Sequence, residues 1–72
     1  MSAMREQLER LIAEMINRGI RYEDAHREFE KRFIVQALNK VNGNLVRAAK
    51  LLGIHRNTLS RKVSSYRIRK KP

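Results

Sequence analysis

The residues of this chain that could do chemistry are mostly cations, amides and hydroxyls. Arg56, Asn57, Thr58, Ser60, Arg61 and Lys62 fall in one short run, with His55 just before it and Asn44 and Arg47 a little upstream. A guanidinium can give a bidentate pair of hydrogen bonds to guanine O6 and N7, and an asparagine amide can pair with adenine. Hydroxyls and ammonium groups reach phosphate oxygens, a contact that positions a protein on nucleic acid without reading its sequence. The chemistry on offer is recognition of a polyanion.

Other chemistries lack their residues. His26 and His55 are the only histidines, 29 positions apart and with no ligand cluster around either, so no metal is expected. Glu28 and Glu30, two apart on a helix, point to different faces and cannot work as a carboxylate pair, so both are read as parts of a solvated face. With no cysteine there is no disulfide framework, thiolate cage or cysteine nucleophile. No phosphate loop, serine elbow or glycine-rich nucleotide fingerprint occurs. We therefore expect no catalysis, no cofactor and no small-molecule substrate.

The charge distribution supports a polyanionic partner. The chain has 72 residues, a formal net charge of +10 and a pI near 11.2. All seven acids lie in residues 1–30 beside five Arg, a net of −2, whereas residues 31–72 hold twelve Lys and Arg and no acid, a net of +12. A surface charged only for solubility mixes both signs, so a 42-residue stretch without Asp or Glu suggests a face that meets phosphates. The longest apolar runs, Leu11-Ile12-Ala13 and Phe33-Ile34-Val35, are far short of the roughly 20 residues of a membrane span, and residues 1–20 lack the apolar centre of a secretory signal. A cytoplasmic, nucleoid-associated location is expected, with no membrane partner.

Three glycines and a terminal proline divide the sequence into four helical segments. Gly19, Gly43 and Gly53 each follow a run of helical periodicity, where a left-handed stop residue is wanted. The first helix, about Ala3 to Asn17, carries Met4, Leu8, Leu11, Ile12, Met15 and Ile16 on one stripe. The second, about Tyr22 to Val41, has Glu23 and Asp24 in its first turn and a stripe of Tyr22, Ala25, Phe29, Phe33, Ala37 and Val41. Ile34, Val35 and Leu38 widen that stripe in its second half, so this helix should touch two different things. The third runs from Leu45 to Leu52 with Asn44 as N-cap. The fourth begins after Ile54-His55 and turns Leu59, Val63 and Tyr66 inward and Asn57, Ser60, Arg61 and Ser64 outward; residues 67–72 read as a basic tail. Tyr22, Phe29, Phe33 and Tyr66 all fall on core stripes, which leaves no stacking platform for single strands.

Two short helices joined by a glycine turn match a helix-turn-helix, whose second helix enters the major groove. Ala48 and Ala49 allow close approach, Gly53 makes the turn, and Ile54, Leu59 and Val63 lock the pair. The run from Gly43 to Val63 resembles the DNA-binding end of Fis and of NtrC-type enhancer-binding activators, and Arg56-Asn57-Thr58-Leu59 followed by Ser60-Arg61-Lys62 looks especially like the NtrC-type recognition helix. Weaker similarity reaches back to about Glu28 and forward to Tyr66. From its 72 residues, the sequence is expected to carry neither the mobile arm of Fis nor the ATPase and receiver domains of a whole activator.

The resemblance implies an all-α, intertwined homodimer in a single domain: dimerisation helices over 1–42, the helix-turn-helix over 43–66 and the tail over 67–72. It implies double-stranded DNA as partner and a role as transcription regulator or nucleoid-associated protein. By the same resemblance, Arg56, Thr58, Arg61 and Lys62 match DNA-contacting positions, and Asn44 and Arg47 match backbone contacts of the preceding helix. His55 departs from the family's usual Asn or Gly and is expected to cap the fourth helix or touch a phosphate. Val46 stands where Fis has a hydroxyl, so that contact is expected to be absent. Leu8, Leu11, Ile12, Met15, Ile16, Phe29 and Phe33 are the expected dimer interface, since they offer more apolar surface than 72 residues hide alone. Two alternatives are a protein-interaction module with an accessory basic surface, and an RNA-binding protein.

Overall fold

The computed structural model describes residues 2–69, which form four helices and no strand: α1 (Ser2–Asn17), α2 (Tyr22–Lys40), α3 (Leu45–Leu52) and α4 (Arg56–Ser65). These are the four segments that periodicity predicts, with ends shifted by a residue. Of the expected basic tail, Lys70 to Pro72 lie outside the described residues.

All four helices stop in the same way. A residue in left-handed conformation follows the last turn, and the next N–H reaches back to a carbonyl five residues earlier. The left-handed residues are Gly19 at φ +77°, Asn42 at +56°, Gly53 at +73° and Arg67 at +55°. The returning bonds run from Ile20 to Met15, Gly43 to Leu38, Ile54 to Ala49 and Ile68 to Val63, at 2.8 to 3.1 Å. Two details differ from the sequence reading. Asn42 takes the stop after α2 and Gly43, also left-handed at φ +80°, comes one residue later. Arg67 and Ile68 belong to the end of α4, with Ile68 packed against the core, so the tail starts later than expected.

Arg67 has no glycine-like freedom. Left-handed backbone costs an L-residue about 1–2 kcal/mol, of which glycine's extra unfolded-state entropy would return about 0.5–1 kcal/mol. Arg67→Gly should therefore stabilise the chain by about 0.5–1 kcal/mol, read as a higher denaturant midpoint at unchanged slope. A lower midpoint would mean that the arginine side chain more than offsets its backbone strain.

The core is built by α2, α3 and α4. Ile34, Ala37 and Leu38 from α2, Ala48 and Ala49 from α3, and Leu59 and Val63 from α4 are buried, with Leu38 and Leu59 fully enclosed. Ala48 and Ala49 have no side chain beyond Cβ, which lets neighbouring helices close onto α3. Val41, Leu45, Leu52, Ile54, Tyr66 and Ile68 surround this cluster. The wide apolar surface of α2 is thus divided, with the Ile34–Leu38 side turned to the helix-turn-helix.

The other side of α2 is open, and α1 contributes no buried residue. Leu11 is 52% exposed, Ile16 67% and Phe33 54%, an unusual state for large apolar side chains that follow a helical stripe. This corrects the assignment of Tyr22, Phe29 and Phe33 to a core: all three are exposed within the single chain, and only Tyr66 among the aromatics is half-buried. The Phe29 and Phe33 rings lie 5.4 Å apart, tilted, along the open face. The radius of gyration of 13.8 Å exceeds the about 11 Å of a compact domain of this length, in keeping with an α1 that buries no residue.

Candidate nucleic-acid interface

The candidate site is presented by α3 and α4. Asn44 caps α3: its Oδ1 accepts the Arg47 backbone N–H at 3.0 Å. His55 caps α4: its Nδ1 accepts the Asn57 backbone N–H at 3.0 Å. Of the two roles expected for His55, the cap is therefore the one seen, and an Nδ1 that accepts leaves Nε2 to carry the ring proton. Neither helix has an acid in its first turn, whereas α2 has Glu23 and Asp24 there. The partial positive charge at the starts of α3 and α4 therefore has no acidic side chain of the first turn to offset it.

On α4 the inward stripe is Leu59 and Val63, so helical geometry puts Asn57, Arg61 and Ser64 on the opposite face. These three and Arg56 are exposed, while Thr58 and Ser60 are half-buried on the flanks; Ser60 is thus less outward than expected. Arg47 is exposed on the first turn of α3. The fold gathers Arg56, Asn57 and Arg61 on α4 and sets Asn44 and Arg47 at the entrance of α3 before it.

Lys62 stands apart from that group. Its Nζ lies 2.7 Å from Glu30 Oε2, and Tyr66 Oη donates to Glu30 Oε1 at 2.5 Å. Glu30 is half-buried, not part of the solvated face to which its sequence position assigned it, and both its oxygens are used. The other two ion pairs among the described residues, Glu14–Arg18 at the end of α1 and Glu28–Arg32 within α2, are exposed local pairs four residues apart; Glu30–Lys62 alone joins two helices. A signal for Glu30 existed in the sequence: it sits four and eight residues before Ile34 and Leu38, on the packing row of α2, and is the last acid before the basic half.

The contacts shift both titrating partners. Hydrogen bonding from Lys62 and then Tyr66 holds the Glu30 carboxyl below the ordinary glutamate range, and the Glu30 carboxylate pushes the Tyr66 phenol above the ordinary tyrosine range. A lowered carboxylate contributes stability above the ordinary glutamate range that is lost as pH falls through the lowered value. A raised phenol contributes below the ordinary tyrosine range and loses its share as pH rises through the raised value. Acidification below the glutamate range should lower the melting temperature, and Glu30→Gln should flatten that limb of the profile. Superimposable acid limbs in the two proteins would deny Glu30 this role.

Comparison with known proteins agrees with the geometry. The family model for bacterial regulatory proteins of the Fis family matches residues 25–66, from the first turn of α2 to the end of α4. The chain belongs to the Fis family. The match extends the resemblance seen in the sequence a few residues further toward the start of α2. Two curated relatives, each named a Fis-like DNA-binding protein, come from Xylella fastidiosa. The protein of strain Temecula1 is 52% identical over 40 residues, 56% of this chain and 44% of its own length. That of strain 9a5c is 51% identical over 39 residues, 54% of this chain and 43% of its own length. The Fis-family chain described here thus aligns with less than half of each relative. No solved structure matches significantly.

No group of three or more metal-ligating side chains occurs among the described residues, and no helix there is long and apolar enough to cross a membrane.

Proposed function

We infer that this Fis-family protein binds double-stranded DNA as a homodimer and acts as a transcription regulator or nucleoid-associated protein. The observation that carries the reading is the outer face of α4. Arg56, Asn57 and Arg61 are exposed at the start of an acid-free helix and on its outer face, and the rest of the basic half flanks it with no acid of its own. In this reading Arg56 reads base edges, with Asn57 beside it, while Arg61, Thr58 and Ser60 contact phosphates and Asn44, Arg47 and His55 Nε2 position the unit on the backbone.

The open apolar face supports the dimer. Leu8, Leu11, Ile12, Met15 and Ile16 of α1 and Phe29 and Phe33 of α2 line one groove of about 1140 Å³, open to solvent. Small-ligand pockets span about 300–1,000 Å³ and enclose their ligand, so a groove this large and open suits helices of a second copy better. A two-fold dimer places two α4 helices on adjacent major-groove segments of a near-palindromic site, about 34–36 Å apart.

Selection of bound duplexes from a random pool tests this directly. The expected product is an inverted repeat with half-sites one helical turn apart, retained in preference to single-stranded RNA of the same length. A pool that yields no symmetric site, or equal retention of the RNA, would replace this function with one of the two alternatives.

A further inference from the structure

We propose that Glu30 is a positioning residue: its carboxylate, through Lys62 and Tyr66, sets the angle of α4 relative to the long helix α2 and thereby the spacing of half-sites that a dimer accepts. The inference rests on the DNA-binding dimer proposed above. It gives Lys62 a task other than phosphate contact.

The physical reason lies in what the core cannot do. Ile34 and Leu38 share one buried cluster with Leu59 and Val63, but α2 and α4 pack chiefly on α3 rather than on each other. Apolar burial has little directional preference, which leaves α4 free to roll or slide relative to α2. Glu30 lies on the same row of α2 as Ile34 and Leu38, one turn earlier. From there its two oxygens reach Lys62 on α4 and, one turn further on, Tyr66, the residue that caps the end of α4. Two charge-assisted hydrogen bonds at separate points along α4 resist both rotation about its axis and sliding along it. Partial burial strengthens them: the Glu30 side chain is 23% exposed and that of Lys62 37%, against more than half exposed for each partner of the other two ion pairs. The long helix α2 also carries the open face with Phe29 and Phe33. A strut between α2 and α4 therefore links the interface between copies to the face that meets DNA.

A phosphate ligand for Lys62 is the competing outcome, and it leaves a different trace. A lysine that neutralises a phosphate adds about 0.9 to the slope of log affinity against log salt, once per subunit. A strut leaves the slope alone and changes which geometry binds. One base pair moves a half-site by about 3.4 Å and turns it about the duplex, which a rigid pair of recognition helices penalises.

The test uses the full chain and the duplex selected for the wild type, together with duplexes whose half-sites are moved one base pair closer or further apart. Circular dichroism and sedimentation serve first to check whether Glu30→Gln and Lys62→Met keep helix content and oligomeric state. Both variants are expected to reduce the preference for the selected spacing by about tenfold, with the salt slope unchanged, and the double variant should be no worse than either single one. Should Glu30→Gln fail to fold, Tyr66→Phe, which removes one hydroxyl, carries the same expectation. An unchanged spacing profile in these variants overturns the inference while leaving DNA binding intact. So does a Lys62→Met slope that drops by about 0.9 per subunit while Glu30→Gln tightens binding to every duplex. A wild-type chain that binds no duplex removes the DNA reading and the inference together.

Discussion

Ile12→Glu should dissolve the proposed dimer. Ile12 sits mid-way along α1, a helix that buries nothing within its own chain, on the wall of the groove proposed for the second copy. In the lone chain it is already 45% exposed, so a glutamate there costs the monomer little. In the dimer the carboxylate would be enclosed among Leu, Ile and Phe, and an unpaired buried charge costs several kcal/mol after relaxation. Sedimentation should show a monomer. Helical signal should fall by about the contribution of α1, because an isolated helix of 16 residues is barely stable in water. Affinity for a two-half-site duplex should drop at least about a hundredfold, since the second half-site is no longer bound as part of one molecule. Leu11→Glu should behave alike. A variant that remains dimeric and DNA-bound would place the interface elsewhere.

Arg56→Ala should cost about 1–3 kcal/mol per subunit, the worth of one bidentate guanine contact, and so roughly 2–6 kcal/mol for a dimer on a symmetric site. The loss should be concentrated at one base pair of each half-site. Duplexes substituted at that position should bind wild type and variant nearly equally. Arg61→Ala offers the contrast: it should weaken all duplexes alike and flatten the salt slope by about one. A uniform loss in Arg56→Ala, with base preference intact, would assign Arg56 to the backbone.

Much of this architecture could be read from local chemistry. Gly53 between two apolar periods, Asn44 before the first turn of α3 and the paired alanines at 48 and 49 each have few alternative uses, and each sits in the structure as read. The residues missed were those settled by partners distant in sequence. Periodicity shows that α2 has two apolar sides but not which side the same chain covers, so Phe29 and Phe33 fit a stripe of the chain's own core as well as the proposed interface, and within the single chain they lie outside the core. Glu30 looked like one acid of a solvated face because Lys62 and Tyr66 lie more than 30 residues away. Arg67 gave no sign of its left-handed backbone, because the pull comes from Ile68, which reaches the core only when α4 stops there.

One consequence of the chain's layout is kinetic. The buried core joins helices that follow one another along the sequence, and chains with mainly local contacts of this kind fold in microseconds to milliseconds. Residues 2–17 take no part in that core and, in the proposed dimer, must wait for a collision between two chains. Refolding from denaturant should accordingly split into two phases, one indifferent to protein concentration and a later one that quickens in proportion to it. The helix proposed to face DNA would be formed in the first, before the proposed second copy has arrived.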